Sequence, residues 1–372
     1  MARPMKPEDL YTLRRVGEVA WHPDGERLYY TVVGLDRETD DYRSSIWVHE
    51  GDSSRLVVGG HWVGGPVCSP DGRWLAYLAR EAEGAPDLMV LDLTGAAPVK
   101  VSGDLTGAAE PRWSPDSRSL IFTAGPAEPD DPSEKERQSR RARDIERNNY
   151  RFNGRGWTVG RRRHVHRADL APGGGEPVVP IPLTEGDFDD SGPAWSADGS
   201  VVRFVSSRQP DFEFAGGSDI YEVPSAGGET RPLTDGEGMW VFVAELPDGR
   251  LLLGGNPHRS RVELSTTWVL DTESGELEPL GDTEVTAIGY GASGTLPRVT
   301  GETVHQVGHR RGEVGIDRVS LARPGDVEQL VAGPLEVTAF DVHPDGGIAY
   351  VVSTATHPSV LRVRRGEEDR EI

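Results

Sequence analysis

The segment Trp21-His-Pro-Asp-Gly-Glu-Arg-Leu-Tyr-Tyr30 decides the fold, because related segments recur along the chain. Every copy but the one at Glu245 places an aromatic or apolar residue before Ser-Pro-Asp-Gly or a close variant, and an alternating apolar stretch follows. Three clear copies and two weaker, shorter ones follow, beginning at Cys68, Trp113, Trp195, Glu245 and Val342. Self-similarity at a period of 20–50 residues is the signature of a repeat architecture.

The repeated Pro-Asp-Gly predicts a tight turn between two strands. Proline presets φ for the first turn position, the aspartate side chain caps the turn, and glycine takes the position with positive φ. In the strand that follows, Leu28 and Tyr30 face one side, as do their counterparts in the other copies. The repeated aspartates are therefore interpreted as turn caps, not as a set of catalytic carboxylates.

A third and a fourth strand follow each hairpin, for example Leu88–Asp92 and Ile181–Thr184. Four strands with a period in the forties predict an all-β fold, a seven-bladed β-propeller with four-stranded blades. The long gap before Val342 is expected to contain a hidden blade that starts at Thr286–Tyr290. The repeated tryptophans are expected to pack between blades. The last blade is expected to lack a fourth strand after Ser359–Val363, so the closure of the ring stays open.

The spacing of the copies leaves room for one insertion, at about residues 126–162 in the third blade. Residues 133–167 contain twelve basic and four acidic side chains, in a chain whose net charge is −21. Seven blades and this basic insertion account for nearly all 372 residues. The sequence therefore predicts a single propeller domain over residues 1–372, with no catalytic domain.

Composition argues against several classes of protein. A net charge of −21 disfavours general nucleic-acid binding, which relies on basic surface. No apolar run approaches the roughly 20 residues of a membrane span, and the N-terminus has no apolar core of a signal peptide. Cys68 is the single cysteine, which excludes an internal disulfide framework. We expect a cytoplasmic protein without a nucleic-acid or membrane partner.

No motif predicts catalytic residues, a metal or a cofactor. A Gly-x-Ser-x-Gly elbow is absent, and the nearest approach, Gly291-Ala-Ser-Gly-Thr295, lacks the final glycine. His164 and His166 share one face of a predicted strand, but a metal site needs a third ligand and the flanking arginines would repel a cation. His305 and His309 are expected to have structural or solvent-facing roles.

The most distinctive unrepeated segment is Tyr150-Arg-Phe-Asn-Gly-Arg-Gly-Trp157. Arginine and aromatic side chains on a glycine-broken loop suit the recognition of carboxylates and peptide backbones. The alternative is a loop that docks onto its own blade, and both interpretations stay open. The candidate substrate-binding residues are Arg147, Tyr150, Arg151 and Asn153.

The blade motif and the insertion together resemble the propeller of the prolyl oligopeptidase family of serine peptidases, in its acylaminoacyl-peptidase-like branch. The resemblance is carried by Met5–Leu10, by Val19–Gly25 and by the insertion motif from Tyr150 to Gly156 with Arg162–Val165. The blade motif alone is less specific, because Tol-type propellers share it.

The resemblance implies a propeller that gates access to an α/β-hydrolase domain, present in cis or as a separate chain, and that admits short peptides. No catalytic residue of that family can be placed on this sequence. The alternative is a free-standing binding or scaffold propeller, and a third hypothesis is a propeller with its own central metal site. The oligomeric state stays open, including a homo-oligomer.

Overall fold

The computed structural model describes residues 3–82, 84–127, 142, 144–145, 148–153, 155–170, 179–260, 262–288 and 295–372. In these residues the chain forms antiparallel sheets, a 3-10 helix (Pro7–Thr12) and one short α-helix, α1 (Phe212–Ala215). No helix in the described ranges is long and apolar enough to cross a membrane.

Five sheets contain four paired strands each. The first has β1 (Arg14–Trp21), β2 (Arg27–Asp36), β3 (Asp41–Glu50) and β4 (Ser53–Gly60). The second has β5 (Trp62–Cys68), β6 (Trp74–Arg80), β7 (Asp87–Asp92) and β8 (Val99–Lys100). The third has β9 (Thr106–Trp113), β10 (Ser119–Gly125), β13 (His164–Asp169) and β14 (Ile181–Pro182); a separate hairpin, β11 (Arg151–Phe152) and β12 (Gly156–Trp157), lies between β10 and β13. The fourth has β15 (Asp190–Trp195), β16 (Val201–Ser206), β17 (Asp219–Pro224) and β18 (Arg231–Pro232). The fifth has β19 (Met239–Glu245), β20 (Leu251–Asn256), β21 (Thr266–Leu270) and β22 (Leu277–Leu280).

The last eight strands form one sheet in two halves. The first half has β23 (Arg298–Thr300), β24 (Thr303–Arg310), β25 (Glu313–Ser320) and β26 (Arg323–Val331). The second has β27 (Glu336–Val342), β28 (Ile348–Ser353), β29 (Val360–Arg365) and β30 (Glu368–Glu371). One parallel pair, Val314 with Glu336, joins them. The architecture is that of the predicted all-β propeller. Counting the halves separately gives seven four-stranded units in the described chain, and a ring of seven blades stays a prediction.

The hydrophobic core lies between successive sheets, because each central strand buries both of its faces. On β6, Leu75 belongs to a buried cluster with Tyr29 of the first sheet, whereas Ala76 belongs to a cluster with Phe122 of the third. On β10, Phe122 faces the second sheet, and Ile121 faces Phe204 of the fourth. The predicted period-2 alternation is thus confirmed, with each face packed against a neighbouring sheet.

The first and last sheets pack directly against each other, with Val19 and Leu28 in one buried cluster with Ala349 and Val351. Polar contacts reinforce this seam. The backbone N–H of Trp21 donates to Asp341 Oδ2 at 2.8 Å. The Arg365 guanidinium lies 5.2 Å from the centroid of the Trp21 ring and donates a hydrogen bond to the Gly25 carbonyl. The described strands of the first sheet pair only with one another, so side chains and not a shared strand close the seam.

One prediction about the last blade is wrong. The final blade has a fourth strand, β30, in which Asp369 accepts from Arg362 at 2.9 Å. Its charged side chains hide it from an apolar pattern. The first strand of the hidden blade that is formed in the described residues is β23, which pairs with β24. Residues 289–290 of the predicted start lie outside the described residues, so a start at Thr286–Tyr290 stays a prediction. Of the described part of that stretch, Thr286 makes one isolated bridge, to His309.

The turn prediction is confirmed at every copy. Each repeated aspartate accepts a hydrogen bond through Oδ1 from the backbone N–H two residues later, at 2.8–3.1 Å; these residues are Asp24, Asp71, Asp116, Asp198, Asp248 and Asp345. The tryptophans lie between sheets as predicted. The indole of Trp113 donates to the Val67 carbonyl at 3.0 Å, and that of Trp195 to the Arg112 carbonyl at 3.1 Å. Cys68 occupies the equivalent position in the second sheet, where burial raises the pKa of its thiol.

The turn-capping carboxylate of Asp345 bonds Arg365 at the seam between the first and last sheets, so its ionisation should make the stability of the fold depend on pH. Burial opposes ionisation, but hydrogen bonds from the Gly347 amide, His343 and Arg365 outweigh it and lower the pKa of Asp345 to about 2. A carboxyl with a depressed folded pKa stabilises the fold above its unfolded pKa of about 4, and this contribution is lost as the pH falls toward 2. We expect Asp345→Asn to lower the thermal midpoint at pH 7 and to leave it closer to that of the wild type at pH 2.5. A difference between the two proteins that is constant from pH 7 to pH 2.5 would contradict this assignment.

Candidate functional site: the loop face and its arginine cavity

The two ends of the ring differ, because strand direction alternates within each sheet. The turns with the repeated aspartates lie on one end, here called the hairpin face. The connections between second and third strands lie on the other, here called the loop face. Their described residues include 37–40, 81–82, 84–86, 126–127, 148–153, 155–163, 207–218, 257–260 and 262–265. Both the start of β1 and the end of β30 lie on the loop face.

Most of the exposed large apolar side chains in the described ranges lie in the N-terminal segment or in and beside these loops: Met5, Leu10, Leu13, Tyr42, Ile145, Phe152, Phe214, Val262 and Leu264. Phe214 is 83% exposed and Val262 is 94% exposed. Their loops are tied together, because Arg259 bonds Asp211 at 3.1 Å and the Gly236 carbonyl. Apolar side chains grouped on one face indicate an interaction surface.

The segment from Tyr150 to Trp157 docks onto neighbouring loops of its own ring. The Tyr150 and Trp157 ring centroids are 5.6 Å apart, and the Thr158 hydroxyl donates to the Asn149 carbonyl at 2.8 Å. The Asn148 N–H donates to Glu213 of the fourth sheet at 3.3 Å, and Arg155 bonds Asp189 at 2.8 Å. These contacts tie the segment to the neighbouring fourth sheet, whereas the alternative interpretation expected it to dock onto its own blade.

The predicted substrate-binding residues occupy different environments. Tyr150 is half-buried against Trp157, whereas Arg151 is exposed on β11, at the base of the β11–β12 hairpin, and Asn153 is exposed in its turn. Arg147 lies outside the described residues. Arg151 and Asn153 make no side-chain hydrogen bond with another described residue, which leaves them accessible. A substrate-binding role for the four stays a prediction.

Two aspartates anchor the end of the insertion. Asp189 accepts from Arg155 and, at 2.9 Å, from the Arg163 amide. Burial would raise the pKa of Asp189, but these hydrogen bonds outweigh it and the pKa is lowered. Asp190 accepts from His164 at 3.1 Å and Arg208 at 2.9 Å, and its pKa is likewise lowered against the effect of burial. Both carboxylates therefore stay ionised.

A cavity of 570 Å³ opens on the loop face between the second and third sheets. Its described lining contains four arginines and no carboxylate: Arg80, Arg155, Arg161 and Arg163. Trp62, Trp157, Pro86 and Pro126 form apolar walls. We call it the arginine cavity. Sequence reasoning missed it as a site. The arginine run at 161–163 signalled the local charge, but no signal marked Arg80, which lies at the end of a strand distant in sequence.

Three of the histidines singled out in the sequence contact neighbouring side chains: His164, His166 and His305. His164 bonds Asp190, and the His166 ring stacks on Phe122 with centroids 5.8 Å apart. His305 contacts the Thr300 hydroxyl at 3.2 Å, and burial lowers its pKa to about 4. Among the described residues, no group of three or more His, Cys, Asp and Glu side chains is arranged to hold a metal. Residues 291–294 lie outside the described ranges.

Comparison with known proteins finds the fold of this chain in the propellers of peptidases. No protein-family model matches the chain. A relative described as the uncharacterized peptidase YuxL of Bacillus subtilis (strain 168) is 26% identical over 230 residues, which are 59% of this chain and 34% of the relative.

Two solved structures are similar over almost the whole chain. The acylaminoacyl peptidase of Pyrococcus horikoshii has a TM-score of 0.72 at 18% identity, over 97% of this chain and 52% of that one. The β-propeller domain of the trilobed protease from Pyrococcus furiosus has a TM-score of 0.68 at 16% identity, over 96% of this chain and 97% of that one. The predicted resemblance to peptidase propellers is thus confirmed at the level of the fold. The chain spans about half the length of the acylaminoacyl peptidase and matches about a third of the curated relative.

Proposed function

We propose that this chain is the propeller of a serine peptidase and limits access to an α/β-hydrolase domain that docks on the loop face. The observation that carries the proposal is the concentration of exposed apolar side chains on the loop face, in a fold shared with peptidase propellers. Any domain continuing from Ile372 would emerge at this face, because β30 runs toward it. The propeller contributes no catalytic residue in this proposal.

The proposed substrates are short peptides, including N-terminally blocked ones. A ring that covers a catalytic centre admits flexible peptides and excludes folded proteins by size. Arg151 and Asn153 stay candidates for contact with such a peptide, because they are exposed on the loop face. The proposed location is the cytoplasm, which agrees with an acidic chain whose single cysteine is a thiol.

The first test is the reading frame that follows Ile372, where we expect a Gly-x-Ser-x-Gly segment within a few hundred residues. The second is the activity of the propeller joined to that domain. We expect cleavage of acetyl-alanine p-nitroanilide and no cleavage of folded lysozyme. An unrelated downstream gene, together with no binding of any separately encoded hydrolase, would overturn the proposal in favour of a free-standing binding propeller.

The contribution of Arg151 is tested in the same joined protein. We expect Arg151→Ala to lower kcat/KM for short peptides by about tenfold, the effect of losing one charge-assisted hydrogen bond. The matched control is Arg37→Ala, an exposed arginine in another loop of the same face. Unchanged kcat/KM for every peptide tried would remove Arg151 from the substrate site.

A further inference from the structure

The arginine cavity holds more positive charge than its described surroundings neutralise. Arg155 is paired with Asp189 at 2.8 Å. Arg163 directs its guanidinium to neutral acceptors, the Gly107 carbonyl and the Thr123 hydroxyl. Among the described residues, no carboxylate lies within 4.0 Å of the guanidinium of Arg80 or Arg163. An anion in the cavity would therefore meet two guanidinium groups that have no carboxylate within 4.0 Å in the described part of the chain.

The environment of Arg163 indicates the same need for a negative charge. Burial, and then the positive charge of Arg155, lower the pKa of Arg163. Both effects disfavour the charged form, the negative charges of Glu110 and Asp189 oppose them in part, and the charge of a bound anion would oppose them further. Arg80 on β6 lies opposite Trp62 on β5 in the antiparallel register. Its guanidinium lies 5.9 Å from the centroid of the Trp62 ring. The planar guanidinium group of Arg80 is thus oriented at the cavity wall before a ligand binds.

The size and walls of the cavity fit a short peptide better than a bare inorganic anion. A volume of 570 Å³ lies within the usual range for ligand pockets, roughly 300–1,000 Å³. The walls formed by Trp62, Trp157, Pro86 and Pro126 offer apolar surface to a peptide's side chains and backbone. Arginine forks bind carboxylates with two parallel hydrogen bonds, which adds orientation to attraction.

We propose that the arginine cavity binds the carboxylate of a short peptide, with Arg80 and Arg163 as the binding groups. The choice of a peptide rests on the proposed function, whereas the choice of a carboxylate rests on the cavity alone. The proposed ligands of the arginine cavity are therefore peptides with a free C-terminus or an acidic side chain.

The test is calorimetric binding to residues 1–372 of three probes: acetyl-Ala-Ala-Ala with a free carboxylate, its C-terminal amide, and acetyl-Ala-Asp-Ala amide. We expect the free acid to bind at least about tenfold more tightly than the neutral amide, a difference of about 1.4 kcal/mol. The aspartate peptide distinguishes a side-chain carboxylate from a terminal one. Inorganic phosphate is the fourth probe.

Substitutions of Arg80 test whether this residue binds the carboxylate. Arg80→Gln should weaken binding of the free acid about tenfold and leave the amide unchanged, and Arg80→Lys should retain part of the affinity because it keeps the charge without the fork. Arg37→Gln, with the same loss of charge elsewhere on the loop face, should change neither.

Equal affinity for acid and amide would overturn the proposal, as would a loss on Arg80→Gln that is the same for both. Phosphate binding that equals or exceeds that of the free acid would show a general oxyanion site and would also overturn the peptide assignment. None of these results depends on a hydrolase domain, so failure here leaves the docking proposal standing, and failure of docking leaves this one testable.

Discussion

Replacing Gly255 with alanine is expected to lower the free energy of unfolding by about 3–5 kcal/mol, one of the largest effects in this chain. Gly255 lies on β20 with φ at +141°, a conformation that residues with a side chain rarely adopt. An added Cβ would lie 2.2 Å from the Met239 carbonyl oxygen and 2.9 Å from the Trp240 Cα. Both atoms belong to the backbone of β19, so no rotamer change relieves the clash, and β19 must move away from β20.

Substitutions of two other glycines separate the contribution of backbone strain from that of the steric clash. Gly51→Ala adds a Cβ in open space at a φ of +61°, so it should cost about 1–2 kcal/mol from backbone strain alone. Gly59→Ala adds one in open space with no positive φ, so it should be close to neutral. The measurement is the shift of the urea and thermal midpoints of the three variants. A Gly255→Ala loss no larger than that of Gly51→Ala would show that β19 and β20 separate without cost.

The hairpins could be predicted from sequence because their chemistry is local. Pro-Asp-Gly specifies the turn, and the apolar alternation after it specifies the strand, as Leu75 and Ala76 illustrate by packing against opposite neighbouring sheets. β30 was missed for the opposite reason. It is an exposed edge strand held by a cross-strand pair between Arg362 and Asp369, and charge is what protects an edge from unwanted pairing. Apolar periodicity cannot reveal such a strand.

The site was less predictable than the fold, because it depends on which loops meet. The arginine run of the insertion is visible in the sequence, but its assembly with Arg80 depends on the packing of the third sheet beside the second. Arg151 of the insertion was predicted as a binding residue, but the structure places it exposed on β11, whereas Arg163, in the same basic stretch, lines the cavity. The composition of the sequence shows that the insertion is basic, but the three-dimensional fold determines which of its arginines line the cavity.

Placing charge on the apolar loop face is expected to weaken docking of the hydrolase domain by at least about 100-fold. The double variant Phe214→Asp with Val262→Asp removes two side chains that are 83% and 94% exposed in this chain. Burying one such side chain contributes about 1.5–3 kcal/mol, and an aspartate without a partner in the interface adds a desolvation cost. The measurement is the Kd of this chain for the separately expressed hydrolase domain.

The fold itself should not change, because the Phe214 side chain on α1 and the Val262 side chain both project into solvent. The double variant is therefore expected to keep the wild-type thermal midpoint, which separates lost docking from unfolding. Val179→Asp is the matched control, since Val179 is 81% exposed but lies between β13 and β14, on the hairpin face. It should bind the hydrolase domain as the wild type does. If Val179→Asp weakens binding and the double variant does not, the domain docks on the hairpin face, and the arginine cavity lies on the side of the ring away from the catalytic centre.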